Sequence, residues 1–288
     1  MGVSVERPTA APATRFSPVV RIVDASLLVL HEDADRARVR RLVEAFRRDG
    51  VLRNPPVVSA LPSGADDRLI VLDGANRVTA LREIGSPHIA VHIVDYAAPE
   101  ISVSTWTHYI VGEGPSLRER VVDDLRIPAA PVQGQDEAMR RLRHGAGVAA
   151  LIDERGALLV GPDLDVPAHA RGLRELVASY GEASPRYRVA EGDLDTLSAE
   201  YGRGTLVIFR PFGKDDLLRF VTRREVLPAG ITRHVIPGRV LHLNVPLPWL
   251  HGAEPLSAKQ TRLDEFVEER WRAHAVRYYA ESIYLFDE

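Results

Sequence analysis

The stretch RLIVLDGANRVTALREIG, residues 68–85, passes from strand to helix with no spacer. An apolar run ends at Asp73-Gly74 and an amphipathic helix begins within two residues, a pattern that points to an α/β architecture. The junction is also a place to hold a phosphate. N–H groups left free at a helix N-terminus, with the positive end of the macrodipole behind them, attract anions without side-chain charge. Gly74 lets a ligand approach the backbone, and Arg77 adds a planar positive fork. A strand, an Asp N-cap and an ordinary surface helix explain the same residues, so this segment alone leaves the two readings level.

With 288 residues, 45% of them apolar, the chain can build a core as one large domain or two modest ones. It has no cysteine, which excludes disulfides, thiolate metal sites and cysteine nucleophiles together. A net charge of −3 exerts no global pull toward nucleic acid or an anionic membrane, although a local basic surface stays open. No apolar run approaches the ~20 residues of a membrane span, and the N-terminus lacks a signal-peptide core. A cytoplasmic protein is expected, with residues 1–17 as a flexible leader containing Pro8 and Pro12.

Residues 19–30 read as strand and approach, ending at His31-Glu32. A helix follows, capped by Asp33 or Asp35, with Val39, Leu42, Val43 and Phe46 as its apolar stripe and Gly50 as its stop. Six arginines between Arg36 and Arg48 suggest nucleic acid, but Asp33, Asp35, Glu44 and Asp49 dilute them, and a solvated face accounts for them better. Strands are expected at 56–60, 68–72 and 89–96, with a turn at 62–67 and a helix from Ala75 to about Ile84. Beyond residue 105 the pattern weakens, with helices expected at 117–125, 136–143 and 168–180. A clear strand, GTLVIFRPF, precedes a helix at 215–225 and the β-rich ITRHVIPGRVLHLNVPLPWL. A last helix is expected over about 258–279, with Leu263, Phe266, Val267 and Trp271 inward. The chain therefore divides into a leader, a unit at 18–110 and a second α/β unit at 111–288.

Four places could carry chemistry. Glu32, at a strand-to-helix junction, is either a general base or a carboxylate complementing the helix N-terminus. Asp73 is either an N-cap or a carboxylate beside a phosphate, where it could organise Mg²⁺ or a proton. In STWTHYI, residues 104–110, strand alternation would put Trp106 and His108 on one face, as packing or as a substrate wall. Thr232, Arg233 and His234 follow a turn at 228–230 and can bind a carboxylate or phosphate, although Arg233 alone suits a structural ion pair equally.

In sum, the chain resembles the ParB/sulfiredoxin-like free serine kinases that make O-phospho-L-serine. The resemblance rests on His31-Glu32, the Asp73-Gly74-x-x-Arg77 loop, ISVSTWTHYI, LPAGITRH with GRVLHLNVPLPWL, and the YYAESIYLFDE tail, in that order. It is strongest to the branch linked with siderophore and diaminopropionate biosynthesis, and more distant to the archaeal ADP-dependent enzymes. It implies a ParB/sulfiredoxin-like N-terminal domain, a C-terminal α/β portion completing the cleft, and Mg²⁺-dependent transfer from ATP or ADP to free L-serine. By the same resemblance Glu32 is the base, Asp73 assists at the phosphate or metal, and Gly74, Ala75, Asn76 and Arg77 cradle the nucleotide. Trp106 and His108 lie on the serine side, and Thr232, Arg233 and His234 hold its carboxylate or the transferred phosphoryl. Asn76 departs from the family, where histidine is usual: an amide still donates to a phosphate but carries no charge. Sulfiredoxin chemistry is excluded for want of cysteine. The alternative is a ParB-like nucleotide-sensing DNA-binding regulator, disfavoured by the acidic balance and by the lack of an evident helix-turn-helix. A homodimer is compatible with either.

Overall fold

The computed structural model describes residues 18–61, 67–112, 117–125, 127–161, 166–180, 185–190 and 192–278. The expected leader, most of the turn at 62–67 and the tail beyond Tyr278 lie outside these residues. Among the described residues no helix is long and apolar enough to cross a membrane. The architecture is mixed α/β, built on two larger sheets.

The first unit comprises β1 (Val19–Asp24), β2 (Leu28–Leu30), α1 (Arg36–Asp49), β3 (Val51–Leu52), β4 (Val57–Ala60), β5 (Leu69–Asp73), α2 (Ala75–Glu83) and β6 (His88–Ile93). Its sheet has the order β1-β6-β4-β5-β2. The stretch 19–30, expected as strand and approach, holds two strands, because the Asp24 side chain accepts from Ser26 N at 2.7 Å and starts a 3-10 turn. β1 then pairs antiparallel with β6, and β2 parallel with β5. α1 forms where its cap and stripe agree. Asp35 accepts from the N–H groups of Ala37 and Arg38, Val39, Val43 and Phe46 are buried, and Gly50 ends the helix at φ +65°.

The second unit holds β7 (Ser102–Thr105), β8 (Thr107–Val111), α3 (Leu117–Glu119), β9 (Ala129–Val132), α4 (Gly134–Arg143), β10 (Ala149–Asp153) and β11 (Gly156–Val160). It continues with α5 (Val166–Ser179), β12 (Arg186–Val189), α6 (Leu194–Tyr201), β13 (Gly204–Phe209) and α7 (Lys214–Thr222). Its sheet, β12-β8-β13-β10-β11-β9, is antiparallel throughout. β10 is buried along its whole length. Leu151 packs into a core with Leu173, Leu176, Leu217 and Phe220, while Ala150 and Ile152 pack with Ala138, Leu142 and Leu197, so helices cover both faces.

Beyond α7 the chain pairs once more with a strand of the second unit and then returns to the first. β14 (Thr232–Val235) pairs with β7, and β15 (Val245–Pro246) with β3, before α8 (Leu247–His251) and α9 (Leu256–Arg272). Leu243, Val245, Leu247, Leu250 and Leu263 are buried in one core with Val20, Val58, Val71 and Leu81, each such side chain stabilising by ~1.5–3 kcal/mol. α9 stops at Arg272 rather than near 279. Leu263 is buried and Phe266 and Val267 pack on the core, but Trp271 is exposed, since the helix ends before its face meets more sheet.

Candidate active site

β2 and β5 are parallel neighbours, so Glu32, two residues past the end of β2, and Asp73, the last residue of β5, lie at the same carboxyl edge of one sheet. Ligands of open α/β sheets characteristically bind outside that edge. A third segment, residues 227–239, closes over it. Leu227 forms a parallel bridge with Glu32, donating to His31 O at 2.9 Å while Asp33 N donates to Leu227 O at 2.7 Å.

Glu32 is gripped by the turn that precedes β14. Its Oε1 accepts from Ile231 N at 2.5 Å and Thr232 N at 3.1 Å, and the Thr232 hydroxyl donates to Oε2 at 3.2 Å. Burial pushes its carboxyl up to about 7 against these hydrogen bonds and the nearby Arg188, which favour the charged form. A carboxylate in that range suits a general base at neutral pH. His31 stands beside it: Nδ1 donates to Val71 O at 2.7 Å, and its bare Nε2 lies 2.8 Å from the Thr232 hydroxyl, competing with Glu32 Oε2 for the single hydroxyl proton. Burial pushes His31 down to about 4, which keeps it neutral.

Asp73 does not cap α2. Gly74 occupies the N-cap at φ +103° with no side-chain cap, leaving the first N–H groups of the helix for a ligand. A Cβ there would lie 3.0 Å from Pro56 Cβ and 3.1 Å from Arg77 Nε, so a side chain would be tight as well as strained at this φ. Asp73 Oδ2 instead accepts from Arg77 Nη2 at 2.5 Å and from Arg239. Burial alone would raise its carboxyl, but the two guanidiniums outweigh it and hold the carboxyl below its ordinary range. Arg77 also donates to Asn54 O at 2.8 Å, so much of its fork is spent on the loop before β4. Asn76 Oδ1 accepts from Asp35 N at 2.7 Å, which ties the starts of α1 and α2 together and leaves Nδ2 as its donor.

The Thr232-Arg233-His234 trio is divided by strand alternation. Thr232 and His234 face His31, whose ring lies 5.2 Å from that of His234. Arg233 lies on the other side, 5.1 Å above the Trp106 ring. His234 Nε2 accepts from Tyr96 OH at 3.0 Å, and burial holds the ring neutral, down to about 3. Trp106 sits at the break between β7 and β8 and donates through its backbone to Ile231 O at 2.8 Å. His108 is fully buried one layer deeper. Its Nε2 donates to Gly230 O at 2.8 Å and its Nδ1 accepts from Tyr180 OH at 2.8 Å, so it supports the turn that grips Glu32.

The geometry is thus a carboxylate with a near-neutral pKa, an uncapped helix N-terminus directly after an aspartate paired with two guanidiniums, and a stacked Trp–Arg wall. No protein-family model matches the chain. It is 26% identical over 273 residues to the ATP-dependent L-serine kinase SbnI of Staphylococcus aureus, covering 93% of this chain and 97% of that one. The chain is related to the free L-serine kinases. The ADP-dependent L-serine kinase SerK of Thermococcus kodakarensis is 24% identical across 72% of this chain and 83% of its own. A solved free serine kinase variant in complex with ADP superposes with a TM-score of 0.69 at 19% identity, covering 83% of this chain and 98% of that one, which establishes the shared fold.

Two residues that sequence reasoning did not single out belong to this neighbourhood. Arg239 completes the Asp73 pair and Arg188 faces Glu32 from β12. The signal available for Arg239 was its place in the GRVLHLN stretch close to the Thr232–His234 segment; Arg188 had none.

Proposed function

We propose that the chain is an L-serine kinase, transferring a phosphoryl group from ATP or ADP to the hydroxyl of free L-serine to give O-phospho-L-serine. The observation that carries this reading is Glu32, a carboxylate poised near neutrality on the same sheet edge as an uncapped helix N-terminus, in a chain related almost end to end to named serine kinases. Those relatives favour the kinase over a DNA-binding sensor.

In this reading Glu32 takes the proton from the serine hydroxyl as the oxygen attacks the phosphorus. The N–H groups of Ala75 and Asn76, reached over Gly74, and the Asn76 Nδ2 hold the nucleotide phosphates. Asp73 acts by holding Arg77 and Arg239 in place, with Arg239 the more exposed of the two toward the phosphates. Trp106 and Arg233 wall the serine side, Thr232 orients Glu32, and His108 and His234 act from behind as neutral supports. Phosphoryl transfer asks mainly for such positioning and for donors around developing charge.

Mg²⁺ belongs to this reading as a companion of the nucleotide. Asp73 does not fit a protein-held site, because two guanidiniums already share its Oδ2, and among the described residues no three His, Asp or Glu gather as a cage. The expected setting is the cytoplasm, with phosphoserine supplied to diaminopropionate, siderophore or related amino-acid synthesis. The test is mass spectrometry of protein incubated with L-serine and Mg²⁺, with ATP and ADP supplied separately. Phosphoserine formed with one nucleotide and lost in Glu32→Gln is the expected result; none with either refutes the reading.

A further inference from the structure

β12 pairs with β8 so that Arg188 lies opposite His108 and Arg186 opposite Ile110. Directly opposed residues share a face, and alternation then puts Arg186 and Arg188 on the side of His108 while Tyr187 turns away, to stack on Tyr201 at 3.9 Å. On that side His108 holds Gly230 O, and Arg186 lies 5.9 Å from the Tyr180 ring. Arg188 reaches the turn itself. A Cβ built on Gly230, whose φ is +83°, would overlap the Arg188 guanidinium, so the turn is glycine both for its conformation and to admit this side chain. One residue further on, Ile231 N is already bonded to Glu32.

The Arg188 guanidinium is half-buried, and among the described residues it makes no ion pair or hydrogen bond. Its charge is disfavoured first by burial and then by Arg38 and Arg186, and is favoured only at longer range by Glu32 and Asp35. A guanidinium held in a partly desolvated place without a carboxylate at contact distance is costly unless an anion arrives to pair with it. In the kinase reading the uncapped N-terminus of α2 supplies the nucleotide phosphates with donors of their own. What remains beside Glu32 is the acceptor molecule.

We propose that Arg188 is the carboxylate anchor of the acceptor: its fork pairs with the α-carboxylate of a small amino acid whose hydroxyl is thereby directed at Glu32. The reading rests on the kinase proposal for the acceptor and its identity, and it leaves Arg233 to close the Trp106 wall of the same acceptor site. It makes Arg188 a specificity residue, separating free hydroxy-amino acids from hydroxyl compounds that lack the carboxylate.

The experiment compares L-serine with L-serinamide, which keeps the hydroxyl and amine but has no carboxylate, using wild type, Arg188→Met and Arg188→Lys. Rates are taken at about pH 8.5, where Glu32 is ionised in every variant, and binding is followed in parallel by calorimetry with each compound alone. Arg188→Met should raise KM or Kd for L-serine roughly 10- to 100-fold, the scale of a lost charge-assisted pair, while leaving serinamide within about twofold. The preference of wild type for serine over serinamide then collapses, and Arg188→Lys retains part of it. Equal losses on both compounds, with the preference intact, overturn the proposal, and so does an unchanged KM for serine. A wild type that makes phosphoserine while Arg188→Met keeps its preference refutes the anchor and spares the kinase. A wild type that makes none, but binds serine through Arg188 and ignores serinamide, does the reverse.

Discussion

Replacing Glu32 by glutamine should do two things that only a carboxyl raised to about 7 can do together. Unfolded, the group would titrate near 4.5, so between these values the folded state binds more protons than the unfolded state. Stability must then fall as pH rises through that window, fully retained below about 4.5 and lost above about 7. The difference of about 2.5 units corresponds to at most about 3 kcal/mol, a ceiling because the residue is only half-buried by surface area. Glutamine keeps an oxygen for the Ile231 and Thr232 N–H groups but carries no charge. Urea denaturation at pH 5 and about pH 8.5 should therefore show Glu32→Gln gaining on wild type by roughly 2–3 kcal/mol from the lower to the higher pH. In the same window wild-type kcat/KM should rise with pH to a half-maximum near 7, while the variant loses transfer and still binds nucleotide. A stability gap that does not change with pH would mean that the carboxyl titrates normally, and the argument for a neutral-range base would fail.

Thr232→Val removes the hydroxyl that donates to Glu32 Oε2, so the ionised form loses support and the acid limb of kcat/KM should move up by roughly one pH unit, with Thr232→Ser restoring it. An unmoved midpoint in the valine variant would exclude that role. Gly74→Ala forces a side chain onto φ +103° and against Pro56, and should cost about 1–3 kcal/mol in urea while weakening nucleotide binding; full stability would show that the junction can relax. Arg233→Ala should raise the KM for serine about tenfold, measured by phosphoserine yield, and a change in kcat alone would remove Arg233 from the acceptor side.

Local sequence carried α1 and the β5–α2 junction because their signals are local: a cap, a stripe with helical spacing, a glycine stop. It did not carry what pairing decides. The break at Ala25–Leu27 exists because β1 and β2 take different partners, and β9 and β12, as AAPV and RYRV, have no apolar alternation to find. The same divide runs through the site. Glu32 and Asp73 were visible because they end strands, whereas the role of Arg188 depends on a register with His108 that no local pattern encodes. One distinction was within reach: a strand at 232–235 must put Arg233 opposite to Thr232 and His234.

The bonds that aim the candidate base are also those that hold the two units together. Glu32 follows a strand of the first sheet, yet its Oε1 accepts from Ile231 and Thr232 of a segment that follows the second, and Asp73 is matched by Arg239 from the same segment. Around them Val57, Ile70 and Leu72 share a buried cluster with Val221 and Ile236, so the contact is apolar as well as polar. A hinge at this place would have to break a bridge at Glu32, two backbone bonds to its carboxylate and that cluster at once. The cleft is therefore built to be rigid behind both Glu32 and Asp73, the residue from which the α2 junction starts.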